Sequence, residues 1–190
     1  MQVRAMQPTD FAAVLALNNT NLPALNELDG PELQRLVEMS LLALVADADD
    51  ALAGFCIVFG PQADYDSSNY RWFSARYEQF AYLDRIAVAV DFQRVGIGRA
   101  FYAELTRRLR GDHPVLLCEV NIRPRNDTSL AFHASIGFRE VGRQDTTGGT
   151  KTVSLLALSL ADPPDSPGPS APSVPPVPPV RPVPPRPLTA

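Results

Sequence analysis

Cysteine, histidine and lysine are all scarce in this chain. There are two cysteines, Cys56 and Cys118, two histidines, and Lys151 as the single lysine among 190 residues. The cysteines lie in separate apolar runs and form no C-x-x-C pair, which excludes a paired-thiol motif and leaves buried, reduced thiols as the expectation. No apolar run reaches the ~18 residues of a membrane span. Residues 1–10 lack the apolar core of a signal peptide. A cytoplasmic chain with no membrane partner is expected. The formal net charge is −4, and such a mildly acidic chain is a poor nucleic-acid binder, which normally shows a basic footprint.

Proline is scarce in most of the chain and dense at one end. Of 19 prolines, six are spread over residues 1–160 and thirteen crowd into residues 161–190. This division predicts a folded domain over 1–160 and a proline-rich tail over 161–190. About 160 residues bury roughly 70% of their unfolded surface, so the domain needs neither disulfide nor metal to hold it together, and no metal is expected. The tail segment 174–187 favours polyproline II. Its P-x-x-P spacing near Arg181 and Arg186 is compatible with a polyproline-recognising domain; a solvated extension is the expected reading.

Within the domain, short strands are expected over 3–6, 41–46, 51–59, 80–90, 115–120, 138–143 and 152–160. Helices are expected over 11–18, 31–40, 96–109 and 126–136. The clearest helix repeats Ile97, Phe101, Leu105 and Leu109 at intervals of four and ends in Arg107, Arg108 and Gly111. The order β-α-α-β-β-β-α-β-α-β-β predicts an α/β (mixed α+β) fold, a mixed, mostly antiparallel sheet flanked by helices. Helical connections point to parallel pairing in the second half.

The strand ending near Val90 runs through Gln93-Arg-Val-Gly96-Ile-Gly98-Arg99 into that clearest helix. The first N–H groups of a helix have no internal partner and carry the positive end of its dipole, so this turn suits an anion. It is neither a Walker loop nor a complete G-x-G-x-x-G motif, since Phe101 stands at the last position. A tight strand-to-helix turn explains the glycines equally well.

Gln93-x-x-Gly96-x-Gly98 is similar to the acyl-CoA signature of the GNAT N-acetyltransferase superfamily. The stretch Asn126-Asp-Thr-Ser129-Leu-Ala-Phe132-His133-Ala-Ser-Ile-Gly137-Phe138 resembles that family's second block. The resemblance covers residues 1–160 and is strongest over 82–142. It implies a mixed sheet flanked by helices, acetyl-CoA as co-substrate, and transfer of an acetyl group to an amine of a small molecule or protein. It further implies pyrophosphate binding on Gln93, Arg94, Val95, Gly96, Ile97, Gly98 and Arg99, and pairing of the pantetheine arm with the backbone of Ile86, Ala87 and Val88. It implies cofactor contacts at Asn126 and Ser129. Relatives are often dimers, so a homodimer is an option. Asn126 is equally a helix N-cap.

Position 133 departs from the family's usual Tyr. His133 is a candidate proton donor to the departing thiolate, or a side chain that packs against the cofactor. Glu119 is the preferred general base, Asp84 the rival. The bland roles are an Asp84–arginine ion pair and a Glu119 pairing with Arg123 or Arg125. The connection 61–79 has no clear periodicity but holds Tyr65, Tyr70 and Trp72. It is expected either to cover the acceptor site as a flap, with these aromatics as walls, or to pack on the sheet as an Ω-loop. Rival functions are a longer-chain acyl transferase and a non-catalytic acyl-CoA sensor or adaptor.

Overall fold

Strand polarity decides which strands take the centre of this sheet. The computed structural model describes residues 1–22, 25–49 and 51–161. The proline-rich tail after residue 161, with its polyproline II segment and its docking reading, lies outside the described residues, as do residues 23, 24 and 50. The strands are β1 (Gln2–Ala5), β2 (Leu42–Ala48), β3 (Ala51–Phe59), β4 (Ala81–Val88), β5 (Val115–Arg123), β6 (Arg139–Thr146) and β7 (Lys151–Ser159). The helices are α1 (Phe11–Thr20), α2 (Gly30–Met39), α3 (Ser68–Ser74), α4 (Ile97–Leu109) and α5 (Asp127–Ser135). One seven-stranded sheet runs in the order β1-β2-β3-β4-β5-β7-β6.

The mixed, mostly antiparallel sheet is as expected, but parallel pairing is confined to β4 and β5. β6 does not join β5. β7 inserts between them and pairs antiparallel with both. The reason is visible in the side chains: Val153–Leu156 on β7 are buried, whereas β6 is largely exposed or half-buried and carries Arg139, Glu140, Arg143 and Asp145. A polar strand suits an edge, an apolar one an interior.

Helices cover both faces. On one, Val14 of α1, Leu33 and Leu36 of α2 and Phe73 of α3 meet Val45, Phe55, Ile57, Tyr82 and Leu117. On the other, the predicted stripe Ile97, Phe101, Leu105 and Leu109 of α4 meets Leu44, Cys56, Val58 and Cys118. Both cysteines are free and buried. Gly54 lets β3 pass close under β4, since a β-carbon there would fall 2.7 Å from the Ala87 carbonyl.

Helix α3 lies in the connection read as aperiodic. Seven residues complete barely two turns, too few for a periodic apolar pattern. Ser67 caps it, accepting from the Tyr70 N–H, and Asn69, Tyr70 and Phe73 are buried.

Candidate active site

The site is built on a fault in the sheet. β4 and β5 pair only at Ala81–Leu116 and Tyr82–Leu117. On its other side β4 stays registered with β3 up to Val88, but Ile57 opposes Arg85 while Val58 opposes Leu83, leaving Asp84 as an extra residue. Such a bulge bends a strand and increases its twist. β4 therefore diverges from β5 beyond Tyr82, and among the described residues the edge of Leu83–Val88 that faces away from β3 has no strand beside it. A cleft of about 440 Å³ opens there, with Leu83, Asp84, Arg85 and Ile86 on one wall and Cys118, Glu119, Val120 and Asn121 on the other.

The glycine turn follows directly at the end of β4. Gly96 has φ 99° and Arg94 φ 65°, both left-handed. Glycine takes that conformation without steric penalty, whereas arginine is strained by it. The α4 ladder begins at Ala100 N–H to Gly96 carbonyl, 3.0 Å. The N–H groups of Ile97, Gly98 and Arg99 thus precede any helical partner. Gln93, Arg94, Val95 and Gly96 are exposed, and Gln93 Nε2 donates to the Val88 carbonyl at 3.4 Å. Gly98 has a further reason to be glycine: a β-carbon would lie 3.2 Å from the Phe132 ring. The turn Gln93–Arg99 follows β4 along the chain; of Ile86–Val88 and Gln93–Arg99, it is Ile86 that lines the cleft.

Asn126 is the N-cap of α5, its Oδ1 accepting from Ser129 N–H at 3.0 Å, and both residues line the cleft. His133 lines it as well but is 5% exposed, among the rings of Tyr102, Phe132 and Phe138. Both ring nitrogens are taken: Nδ1 donates to the Ser129 carbonyl at 2.7 Å, and Nε2 accepts from the Tyr102 hydroxyl at 2.6 Å. Burial lowers its pKa. A lowered pKa and two engaged nitrogens favour the packing reading of His133 over the proton-donor reading.

The two candidate bases differ sharply. Asp84 accepts from Arg85 Nε at 2.8 Å and from Tyr65 Oη at 2.6 Å, with the Asp84 and Arg85 side chains each only 6% exposed. Arg85 Nη1 also donates to Asn18 Oδ1 at 2.9 Å. The ion-pair reading of Asp84 is therefore the observed one. Glu119 pairs with neither arginine considered for it: Arg123 holds Asp145 and Arg125 holds Asp127. Its carboxylate accepts instead from Tyr82 Oη at 2.8 and 2.9 Å and from Asn69 Nδ2 at 2.9 Å. Desolvation, with the nearby Asp84 charge behind it, pushes its pKa up to about 7 against the downward pull of those donors.

Two of the three aromatics expected to wall the acceptor site do not line the cleft. Tyr70 is buried, its hydroxyl donating to the Gly60 carbonyl and accepting from Ala63 N–H. Trp72 lies against Gly142 of β6, with the Arg76 guanidinium 3.8 Å from its ring. Neither lines the cleft. Of the three aromatics Tyr65 alone does, on a rim that continues through Asp66, Ser67, Ser68 and Asn69. Large aromatics in a loop gain more by burial than by facing water, and here they anchor the segment to the sheet.

Asn69 and Tyr82 escape sequence reasoning. Tyr82 opposes Leu117, so Glu119, two residues on, is its diagonal neighbour on the same face. The signal exists only once the register is known. Among the described residues no group of three or more His, Cys, Asp and Glu side chains is placed to hold a metal ion, and no helix is long and apolar enough to cross a membrane.

Comparison with known proteins places the fold and the family. No curated protein sequence is similar enough to count as a match. Solved structures share the fold: a ribosomal-protein-alanine N-acetyltransferase from Brucella melitensis (23% identity, covering 84% of this chain and 99% of that one, TM-score 0.64). Another is yncA from Salmonella typhimurium, with its cofactor acetyl-CoA (19%, 88% and 98%, TM-score 0.64). A third is an acetyltransferase of the GNAT family from Streptococcus pneumoniae (18%, 83% and 98%, TM-score 0.63). The model of the acetyltransferase (GNAT) family matches residues 13–138. With two thirds of its length under that match, the chain belongs to the GNAT family of acetyltransferases.

Proposed function

We propose that the protein is an acetyl-CoA-dependent N-acetyltransferase, with Glu119 as the general base for a primary amine of a small molecule or protein. The observation that carries this reading is a carboxylate without a cationic partner, its pKa about 7, on the wall of a cleft opened by a strand bulge. Acetyl-CoA, when bound, supplies the thioester carbonyl for the amine to attack. The residues present suit it: the left-handed turn at Gly96 and the free start of α4 offer main-chain N–H groups to a pyrophosphate. The unpaired edge of Leu83–Val88 offers backbone groups to an amide-bearing arm and a donor to a developing oxyanion.

The acceptor reaches neutral pH as an ammonium. Losing the proton costs about 4.6 kcal/mol for a side-chain amine near pKa 10.4, and about 1 kcal/mol for an α-amine near 7.7. A base titrating near 7 is half available at that pH and matched to this task. The leaving thiol, near pKa 8.5, takes its proton from water, so the engaged His133 is not needed as an acid.

The test is release of free thiol from acetyl-CoA by the full chain across a panel of α-amines, side-chain amines and small polyamines. Turnover with at least one acceptor, abolished in Glu119→Gln, is expected. Binding of acetyl-CoA without turnover on any member would overturn the enzymatic reading. Full turnover in Glu119→Gln would overturn the base assignment.

A further inference from the structure

We propose that Asn69 and Gln144 form a positioning pair that fixes the Glu119 carboxylate, although both lie outside the glycine turn and the β4 edge. The inference rests on Glu119 being the base. Asn69, at the start of α3, is 8% exposed. Its Nδ2 donates to Glu119 Oε1 at 2.9 Å, and its Oδ1 accepts from Gln144 Nε2 at 2.9 Å. Gln144 lies half-buried on the edge strand β6. Three elements distant in sequence thus meet in one chain of hydrogen bonds ending on Glu119.

The order of donors gives the chain its purpose. A primary amide has a donor end and an acceptor end. Gln144 donates to Asn69, which engages the Asn69 oxygen and leaves its N–H₂ pointing at Glu119. Tyr82 donates from the opposite wall. A carboxylate is acceptor-only, so two donors hold it in its ionised form and leave its remaining lone pairs for the cleft. Other groups face the same space: Asp84 and Arg85 from β4, Tyr65 and Asp66 from the rim, His133 from α5, Lys151 from β7, and Cys118 beside Glu119 on β5. Asp84 is paired to Arg85, His133 is neutral, and burial holds Cys118 as a thiol. Asn69 and Tyr82 are the side chains bonded directly to Glu119.

The experiment reads Glu119 itself. The full chain is labelled with 13C at glutamate carboxylates, and the Glu119 resonance is assigned by its loss in Glu119→Gln. Asn69→Ala should raise the Glu119 titration midpoint by about one pH unit, as expected for losing a hydrogen bond to the charged form. Gln144→Met should raise it by roughly half that, by releasing the Asn69 amide to turn, and should add nothing in an Asn69→Ala background. Gln144 is on a half-exposed edge, so its variant folds and carries the test even where Asn69→Ala does not. An unmoved Glu119 midpoint in the single variants overturns the proposal, as does a Gln144→Met shift that persists without Asn69. A purely structural role would lower the melting temperature and leave the midpoint in place. Because the midpoint is read without turnover, an active Glu119→Gln enzyme would defeat the base reading while the positioning result stood on its own.

Discussion

The two walls of the cleft each present a carboxylate, and the two are treated in opposite ways. On the β4 wall Asp84 is locked between the Arg85 guanidinium and the Tyr65 hydroxyl, a charge neutralised where it is buried. On the β5 wall the donors to Glu119 among the described residues are neutral, Tyr82 and Asn69. A cationic neighbour balances the charge of a buried carboxylate and occupies its lone pairs. Neutral donors in a desolvated site leave the proton nearly balanced, at about pH 7 for Glu119. The type of carboxylate matters less than what faces it. Asp84 ties the bulge to α1 through Arg85 and Asn18. Glu119 is the acid proposed for chemistry.

The sharpest way to break this contrast is to exchange the acids for their amides. Glu119→Gln should lower kcat by about 10²- to 10⁴-fold, the usual worth of a positioned general base, with the melting temperature held or raised. Asp84→Asn should reduce kcat far less and lower stability instead. Steady-state rates beside thermal melts on the same samples decide it. Equal losses of kcat would mean that the two walls act as one catalytic pair.

Next in size is the cation that separates the two walls. Arg85→Met leaves Asp84 buried beside a single hydroxyl donor, and a broken buried pair costs about 3–5 kcal/mol. Urea unfolding should show that loss. A loss below about 1 kcal/mol would mean that Asp84 is solvated and the walls are less different than their geometry shows.

How much of this was legible in the residues follows from the same difference. The glycine turn was readable because its constraint is local: a strand must end, a left-handed residue must follow, and a helix must start, all within Gln93–Arg99. The stripe Ile97–Leu109 was readable for the same reason. Glu119 could be preferred and an arginine partner for Asp84 expected, but the Tyr65 and Asn69 donors reach the two acids only through tertiary contacts. Tyr70 and Trp72 misled because an aromatic in an aperiodic loop gives no sign of whether it faces a site or the core. β7 took the place beside β5 because Val153–Leu156 bury while β6 is polar, a difference that element order alone does not carry.

The pH dependence of stability sharpens the comparison further. Glu119 titrates near 4.5 when unfolded and at about 7 in the native protein. Between those values the native state holds the extra proton, so stability falls as pH rises from about 4.5 to about 7 and is flat above. The contribution is roughly 2–3 kcal/mol across that window. Glu119→Gln should lack it. Glu104 moves the other way: Arg107 and Arg108 hold its pKa down to about 2, so its contribution is lost as pH falls below about 4.5. The difference between wild type and variant cancels that background. A difference that does not change between pH 4.5 and 7 would place Glu119 in water rather than in the fold.

The smallest expected effect concerns Tyr65, which touches one acid and not the other. Its hydroxyl is buried against Asp84, and desolvation followed by that charge raises its pKa, so it serves only as a donor. Tyr65→Phe removes one of the two donors to Asp84 but leaves Arg85 in place. The expected loss is about 1 kcal/mol in unfolding free energy, the low end for a hydrogen bond to a charged group whose stronger partner survives. The Asp84 charge stays where it is, so the field at Glu119 stays the same. The acidic limb of the rate profile should therefore not move. Should that limb shift with stability unchanged, Tyr65 would be acting on the β5 wall, and the division between a structural acid and a catalytic one would have to be redrawn around it.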